Sequence, residues 1–157
     1  AAPGWSLEVP GDWEEIDVGR GFVAYSSATE GCEVEVRSRG DSVITGADLD
    51  NGRRGASAAL AAAMLTSHSF EWTEVLPEDP ASAGRALALT SGSALEFAQV
   101  VGEYEEDGIG HLVTSFARKD IDGQGGYATL LVDCVALPGV DASTMADLTV
   151  DFVLDLG

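Results

Sequence analysis

Four apolar, strand-like runs follow one another between residues 85 and 138, and they constrain the fold of this chain more than any other feature. The runs are RALALT, SALEFAQVVGEYEE, GHLVTSFARK and GYATLLVDCVAL. The links around SG, EEDGIG and DIDGQGG are short and contain glycine, as tight antiparallel connections require. The sequence therefore predicts a long antiparallel sheet in this part of the chain.

The N-terminal part predicts further short strands. WSLEVP, WEEIDV, GFVAYSS and CEVEVRS read as a meander over the first forty residues, and EWTEVL reads as a later strand. Alternation in CEVEVRS places Cys32, Val34 and Val36 on one face. The other face, which we expect to meet water, carries Glu33, Glu35 and Arg37.

Two segments favour helices. The alanine-rich stretch from about residue 47 to 65 places apolar residues at helical spacing, namely Leu49, Ala56, Leu60 and Met64. Residues 145 to 156 fit a helix and a strand equally well by periodicity, but Ser143 or Thr144 as N-cap and Asp147 in the first turn favour a helix. We therefore predict an α+β fold that combines a long antiparallel sheet with helices, as a single domain over residues 1–157 that needs no cofactor.

The charge of the chain excludes two classes of partner. The sequence of 157 residues carries 27 acidic and 8 basic residues, a net charge of −19, although 45% of its residues are hydrophobic. So negative a field repels phosphate backbones and anionic membrane surfaces, which argues against nucleic-acid or membrane-surface binding. Solubility explains the acidity more simply than a specific cationic partner does. The preference for arginine over lysine, together with abundant alanine, glycine and valine, is typical of GC-rich coding, as in actinobacteria.

The chain contains no apolar run of 18 residues, so no transmembrane segment is predicted. Its first residues, AAPGW, lack the basic and apolar regions of a signal peptide. We expect either a cytosolic protein or a mature or truncated form whose export signal is absent, with a possible lipid anchor upstream of residue 1.

Two cysteines bear on this choice of compartment. Cys32 and Cys134 both lie in predicted strands, and no CxxC motif or histidine neighbour suggests zinc or thioredoxin-type chemistry. They are either buried free thiols or a structural disulfide, and we favour the disulfide. In the chain-entropy model, closing so long a loop stabilises the fold by about 4.7 kcal/mol. Such a bond indicates an oxidising, extracytoplasmic location.

One loop resembles a calcium site. Asp120, Asp122 and Gln124 alternate before Gly125 as oxygen ligands do in a calcium loop, but the twelfth position, which needs a carboxylate, is Leu131. The flanking runs also predict strands, whereas an EF-hand joins helices. We therefore interpret residues 120–126 as a hairpin loop and predict no metal site. A weak partial site formed by Asp120, Asp122 and the Gln124 amide is the alternative.

Candidate catalytic residues are few. His68 and His111 are the two histidines, and His111 lies four residues before Ser115, about 13 Å away along a strand and too far to share a proton. The acids at Glu14 and Glu15, and at Glu103, Glu105, Glu106 and Asp107, are typical of solvated strand faces and turns. No catalytic, cofactor-binding or metal-binding residue is predicted.

The stretches GWSLEVPGDWEEI, GFVAYSS, CEVEVRS, HLVTSFA and DFVLDL follow the order of parts found in PsbP-like domains, which the chain resembles over nearly its whole length. Within that superfamily it is most similar to actinobacterial LpqN-type lipoproteins and to domains associated with type VII secretion. The resemblance implies an α/β sandwich, an antiparallel sheet flanked by helices, and carries over no catalytic residue. The segment around Cys134 is not part of the family pattern.

The resemblance implies a non-enzymatic accessory or partner-binding domain of the cell envelope, which binds a protein or an apolar ligand. A secretion chaperone or immunity-type adaptor is an alternative, for which the acidity and compactness fit. A hydrolase with a carboxylate-lined cleft is a weaker third hypothesis, which rests on the abundance of acids.

Overall fold

The computed structural model describes residues 4–7, 13–19, 22–27, 31–39, 57, 60–64, 72–76, 84–119, 126–136 and 152–155. Most of these residues lie in ten β-strands, whereas residues 57 and 60–64 are helical. The strands are β1 (Gly4–Leu7), β2 (Trp13–Gly19), β3 (Phe22–Ser27), β4 (Cys32–Arg39), β5 (Trp72–Leu76), β6 (Gly84–Ala88), β7 (Ala94–Glu106), β8 (Ile109–Lys119), β9 (Tyr127–Val135) and β10 (Phe152–Asp155).

Eight of the strands form one antiparallel sheet. Seven of them follow the order β2-β3-β4-β9-β8-β7-β5. The eighth, β6, pairs with the first part of β7, whereas β5 pairs with the second part of β7. The strands β1 and β10 form a separate antiparallel ribbon, with Trp5 opposite Leu154. The long meander predicted for β6 to β9 is therefore confirmed.

The N-terminal meander is confirmed in part. The strands β2, β3 and β4 follow one another in the sheet, but β1 leaves them and pairs with β10. The two meanders join where β4 pairs with β9 over the whole length from Cys32 opposite Cys134 to Arg39 opposite Tyr127. This junction, the β4–β9 seam, makes one sheet out of two sequence-local units.

The α+β prediction is wrong for the described residues, which form a predominantly β structure. The C-terminal helix expected over residues 145–156 is wrong at Phe152–Asp155, because these residues form strand β10. Its backbone pairs with β1, and Phe152 and Leu154 are buried in the core, so tertiary pairing decided a pattern that periodicity left ambiguous. Two other parts of the helix predictions lie outside the described residues. They are the capping residues Ser143, Thr144 and Asp147, and the predicted helix of residues 47–65 except for residues 57 and 60–64.

The main core lies between the large sheet and the ribbon, on the side that we call the ribbon face. Phe152 of β10 packs edge-on against Trp13, with ring centroids 5.3 Å apart, and lies 5.7 Å from the ring of Tyr25. Trp5 of β1 packs against Phe97 and donates a hydrogen bond from its indole Nε1 to the carbonyl of Arg37, at 3.0 Å. These contacts fix the ribbon over the sheet.

The opposite side of the sheet, the helix face, packs against the helical residues. Ala61 is fully buried there against a smaller apolar cluster, and the backbone N–H of Lys119 donates to Ser57 Oγ at 2.9 Å. Alternation along β4 follows the prediction, since its apolar residues are buried on the ribbon face and Glu33 is exposed on the helix face. Glu35 is less exposed than predicted and forms an ion pair with Arg37 at 2.7 Å.

A disulfide joins Cys32 and Cys134, which are 102 positions apart in sequence and directly opposite each other on the β4–β9 seam. Both cysteines are buried on the ribbon face among the core residues. Disulfides persist in oxidising compartments and are rare in the cytosol, so the bond is consistent with an extracytoplasmic location.

Two further sequence interpretations concern membranes and calcium. No described helix has the length and apolar character needed to cross a membrane. Residues 120–125 lie outside the described residues, but β8 and β9 on either side of them are adjacent antiparallel strands, with Lys119 opposite Tyr127. The flanks are strands, as a hairpin connection requires, whereas an EF-hand would need helices.

Removal of the disulfide tests how far the seam depends on it. We expect Cys32→Ala/Cys134→Ala to lower the free energy of unfolding by about 2–5 kcal/mol, because the unfolded chain regains the freedom of a long loop. Urea denaturation of this variant and of the oxidised wild type gives the difference. Equal midpoints would show that strand pairing holds the seam without the bond.

Replacement of Phe152 tests the docking of the ribbon. Phe152→Ala should cost about 3–5 kcal/mol in the free energy of unfolding, because it opens a cavity between Trp13 and Tyr25. Ile109→Ala is the matched control, since Ile109 is 50% exposed and its truncation leaves no core cavity. Similar urea midpoints for the two variants would contradict this account of the core.

Candidate functional site

An open groove of about 450 Å³ lies at one end of the sheet, beside the β4–β9 seam. Five strands, β3, β4, β7, β8 and β9, contribute to its walls. The lining is mixed polar and apolar and contains three carboxylates, one histidine and one tyrosine: Ser26, Ser27, Gly31, Cys32, Glu33, Tyr104, Glu106, His111, Asp133 and Val135. Tyr104, His111 and Asp133 contact one another and form what we call the groove triad.

The two-residue turn between β7 and β8 sets the first contact of the groove triad. Asp107 and Gly108 have φ values of 53° and 78°, the left-handed conformations that a tight hairpin of this kind requires. The turn places Tyr104 opposite His111. Their rings are stacked nearly parallel, at 9°, with centroids 4.6 Å apart.

Asp133 completes the groove triad from the neighbouring strand β9. The Tyr104 hydroxyl donates to Asp133 Oδ2 at 2.6 Å, and His111 Nδ1 lies 2.9 Å from Asp133 Oδ1. An ionised carboxylate only accepts hydrogen bonds, so Nδ1 carries the proton and Nε2 is the ring nitrogen left for a ligand. Asp133 thereby fixes both the orientation and the tautomer of His111.

Burial differs within the groove triad. Tyr104 is 3% exposed, whereas the side chains of His111 and Asp133 are 20% and 21% exposed. Burial raises the pKa of Tyr104 far above its ordinary value of 10.0, and the hydrogen bond to Asp133 and the charges of Asp133, Glu106 and Glu33 raise it further. Tyr104 is therefore a neutral hydrogen-bond donor at physiological pH and not a base.

Like charges face each other across the seam. Glu33 on β4 lies directly opposite Asp133 on β9, and such pairs destabilise a sheet when nothing offsets them. The two donors on Asp133, from Tyr104 and His111, offset part of that repulsion by holding the charge in hydrogen bonds. Glu33 is exposed and stays at the groove wall as a solvated acceptor.

The structure places the residues considered from sequence as follows. His111 is in the groove, but Ser115 is fully buried four residues further along β8 and is not among the groove-lining residues. Glu103 and Glu105 are exposed, as expected for a solvated face, and so are Glu14 and Glu15 on β2. His68 lies outside the described residues.

Sequence reasoning missed the groove triad, although part of the signal was present. The Asp107–Gly108 turn alone fixes the pairing of Tyr104 with His111. The position of Asp133 beside them cannot be predicted in this way, because the connection between β8 and β9 is longer and does not fix the register of the two strands. In the described part of the chain, no group of three or more histidine, cysteine or acidic side chains is arranged to hold a metal ion.

Comparisons with known proteins add little. No family model and no curated protein matches this chain. Among solved structures, the chain is similar to LpqN, which is involved in cell envelope biogenesis of Mycobacterium tuberculosis, with 20% sequence identity and a TM-score of 0.43. The match covers 97% of this chain and 83% of that one. A likeness of this size supports no conclusion about function, and it does not show a PsbP-like fold.

The raised pKa of Tyr104 gives a test at alkaline pH. Above pH 10.0 the unfolded tyrosine loses its proton while folded Tyr104 keeps it, so the free energy of unfolding should fall as pH rises through that range. Tyr104→Phe removes this contribution, and its stability should fall less steeply. Urea denaturation from neutral pH to above pH 10 measures both slopes, and equal slopes would contradict the assignment.

Proposed function

We propose that this chain is an extracytoplasmic domain of the cell envelope that binds a partner protein through the groove and has no enzymatic activity of its own. The observation that carries the proposal is the groove triad, in which three side chains from three strands hold one another rigid at the wall of an open groove. Pre-organisation of this kind lowers the entropic cost of binding. The disulfide supports the extracytoplasmic location.

The chemistry of the groove indicates what part of a partner it takes. Glu33, Glu106 and Asp133 present carboxylates, and His111 has one ring nitrogen left for a ligand. The groove therefore favours a partner surface that brings amino or guanidinium groups, together with a hydrogen-bond donor for His111. Tyr104 is buried and acts as a support for His111.

A binding experiment with matched variants tests this proposal. Immobilised wild-type protein, Glu33→Gln and Glu105→Gln are exposed to a cell-envelope extract of the source organism, and captured proteins are quantified by mass spectrometry. Glu105 is exposed but does not line the groove, so its variant removes one charge of the same kind elsewhere.

We expect one protein to be retained by the wild type and by Glu105→Gln, and to be bound about tenfold more weakly by Glu33→Gln. Equal capture by the three baits would show that the groove takes no part. His111→Ala should weaken capture in the same way, since it removes Nε2, the ring nitrogen that is left for a ligand.

Hydrolysis is a second candidate function, favoured by one specific observation. A carboxylate that orients a histidine is the base-and-orienter pair of many hydrolases, and Ser26 and Ser27 line the same groove. A fluorophosphonate probe distinguishes the two functions. Labelling of the wild type that is lost in His111→Ala would favour the hydrolase, and absence of labelling would favour the binding domain.

A further inference from the structure

The strand β2 ends the eight-stranded order on one side of the sheet. Among the described strands it pairs with β3 alone, so the backbone groups on its other edge are not used by any of them. Only Trp13 of β2 is buried; the following six residues, 14–19, are all exposed. An edge strand of this length is a ready template for another strand.

The exposed residues of β2 include large apolar side chains. Ile16 is 47% exposed and Val18 is 58% exposed, the latter being the most exposed large hydrophobic residue described. Val18 lies opposite Val23 of β3, which lines a hollow of about 220 Å³ together with Gly4, Trp5, Gly19, Phe22, Val36 and Ser38. The hollow has a mixed polar and apolar lining, and the side chains of Trp5, Phe22 and Val23 supply apolar surface next to the strand edge.

Charge decides which kind of strand fits this edge. β2 carries Glu14, Glu15 and Asp17, and neither β2 nor β3 contains a lysine or an arginine. A second copy of the chain would bring three more carboxylates against these three, and this repulsion opposes self-pairing. A strand with basic residues at alternate positions instead places them on the face of Glu14 and Asp17, which lie opposite Ser26 and Ala24 and therefore share one side of the sheet.

We propose that the outer edge of β2 accepts an extended basic segment of a partner protein as an added β-strand. The backbone hydrogen bonds supply affinity, and alternate lysine or arginine side chains pair with Glu14 and Asp17 on one face. On the other face, an apolar side chain enters the hollow beside Val23. This assignment rests on the proposal that the domain binds a partner protein, but it does not depend on the groove.

The test uses the oxidised chain of residues 1–157 and three labelled eight-residue peptides. The first alternates lysine with valine, the second replaces each lysine by glutamate, and the third is the lysine peptide with every backbone amide N-methylated, so that neither edge can donate to a β-ladder. Fluorescence polarisation measures affinity, and hydrogen exchange measures protection of residues 14–19. Val18→Lys is compared with Ile109→Lys, a matched change at an exposed apolar residue in another hairpin.

We expect only the lysine peptide to bind, with protection of residues 14–19, and we expect Val18→Lys to weaken it at least tenfold while Ile109→Lys leaves it unchanged. Equal binding of the N-methylated peptide would show attraction by charge without strand pairing, and would overturn the proposal. So would slow exchange of the outer amides of β2 in the free protein, or a dimer that Val18→Lys dissociates. The groove variant Glu33→Gln should bind the lysine peptide normally, so the two proposals can fail independently.

Discussion

The β4–β9 seam is the constraint on which the rest of the structure depends. It pairs two strands that are 102 positions apart at their cysteines, so its formation carries the largest loop-closure cost within the eight-stranded sheet. The disulfide reduces that cost by limiting the unfolded chain. Once the seam forms, one sheet has the ribbon on one face and the groove at one end, with groove walls drawn from both meanders.

The seam also sets the electrostatics of the groove. The seam places Glu33 opposite Asp133, and the repulsion between these two carboxylates lowers the stability of the sheet. The groove triad offsets part of this repulsion, because the tyrosine and the histidine both donate hydrogen bonds to Asp133. A rigid histidine with one nitrogen left for a ligand, flanked by carboxylates, is suited to recognition of a basic partner. The acidic edge of β2 offers such a partner a second surface of the same charge.

Much of the sheet could be predicted from sequence, because alternation and short glycine-bearing links are local signals. Val34 and Val36 were placed correctly on the buried face for this reason. Strand β10 could not be predicted in this way, since Phe152 and Leu154 fit a helix and a strand equally well. Only the pairing with the distant strand β1 decides between the two. For the same reason Asp133 could not be matched to His111: the pairing of β9 depends on tertiary contacts, whereas the turn at Asp107 fixes Tyr104 opposite His111 locally.

The central claim is that the seam holds Asp133 where it organises His111 for binding. Nitrogen NMR of the His111 imidazole tests this most directly, because it identifies which ring nitrogen carries the proton in the neutral form. The account predicts the Nδ1–H tautomer, held by Asp133, in the oxidised protein and its loss in Asp133→Ala. An Nε2–H tautomer in the wild type, unchanged in that variant, would contradict it.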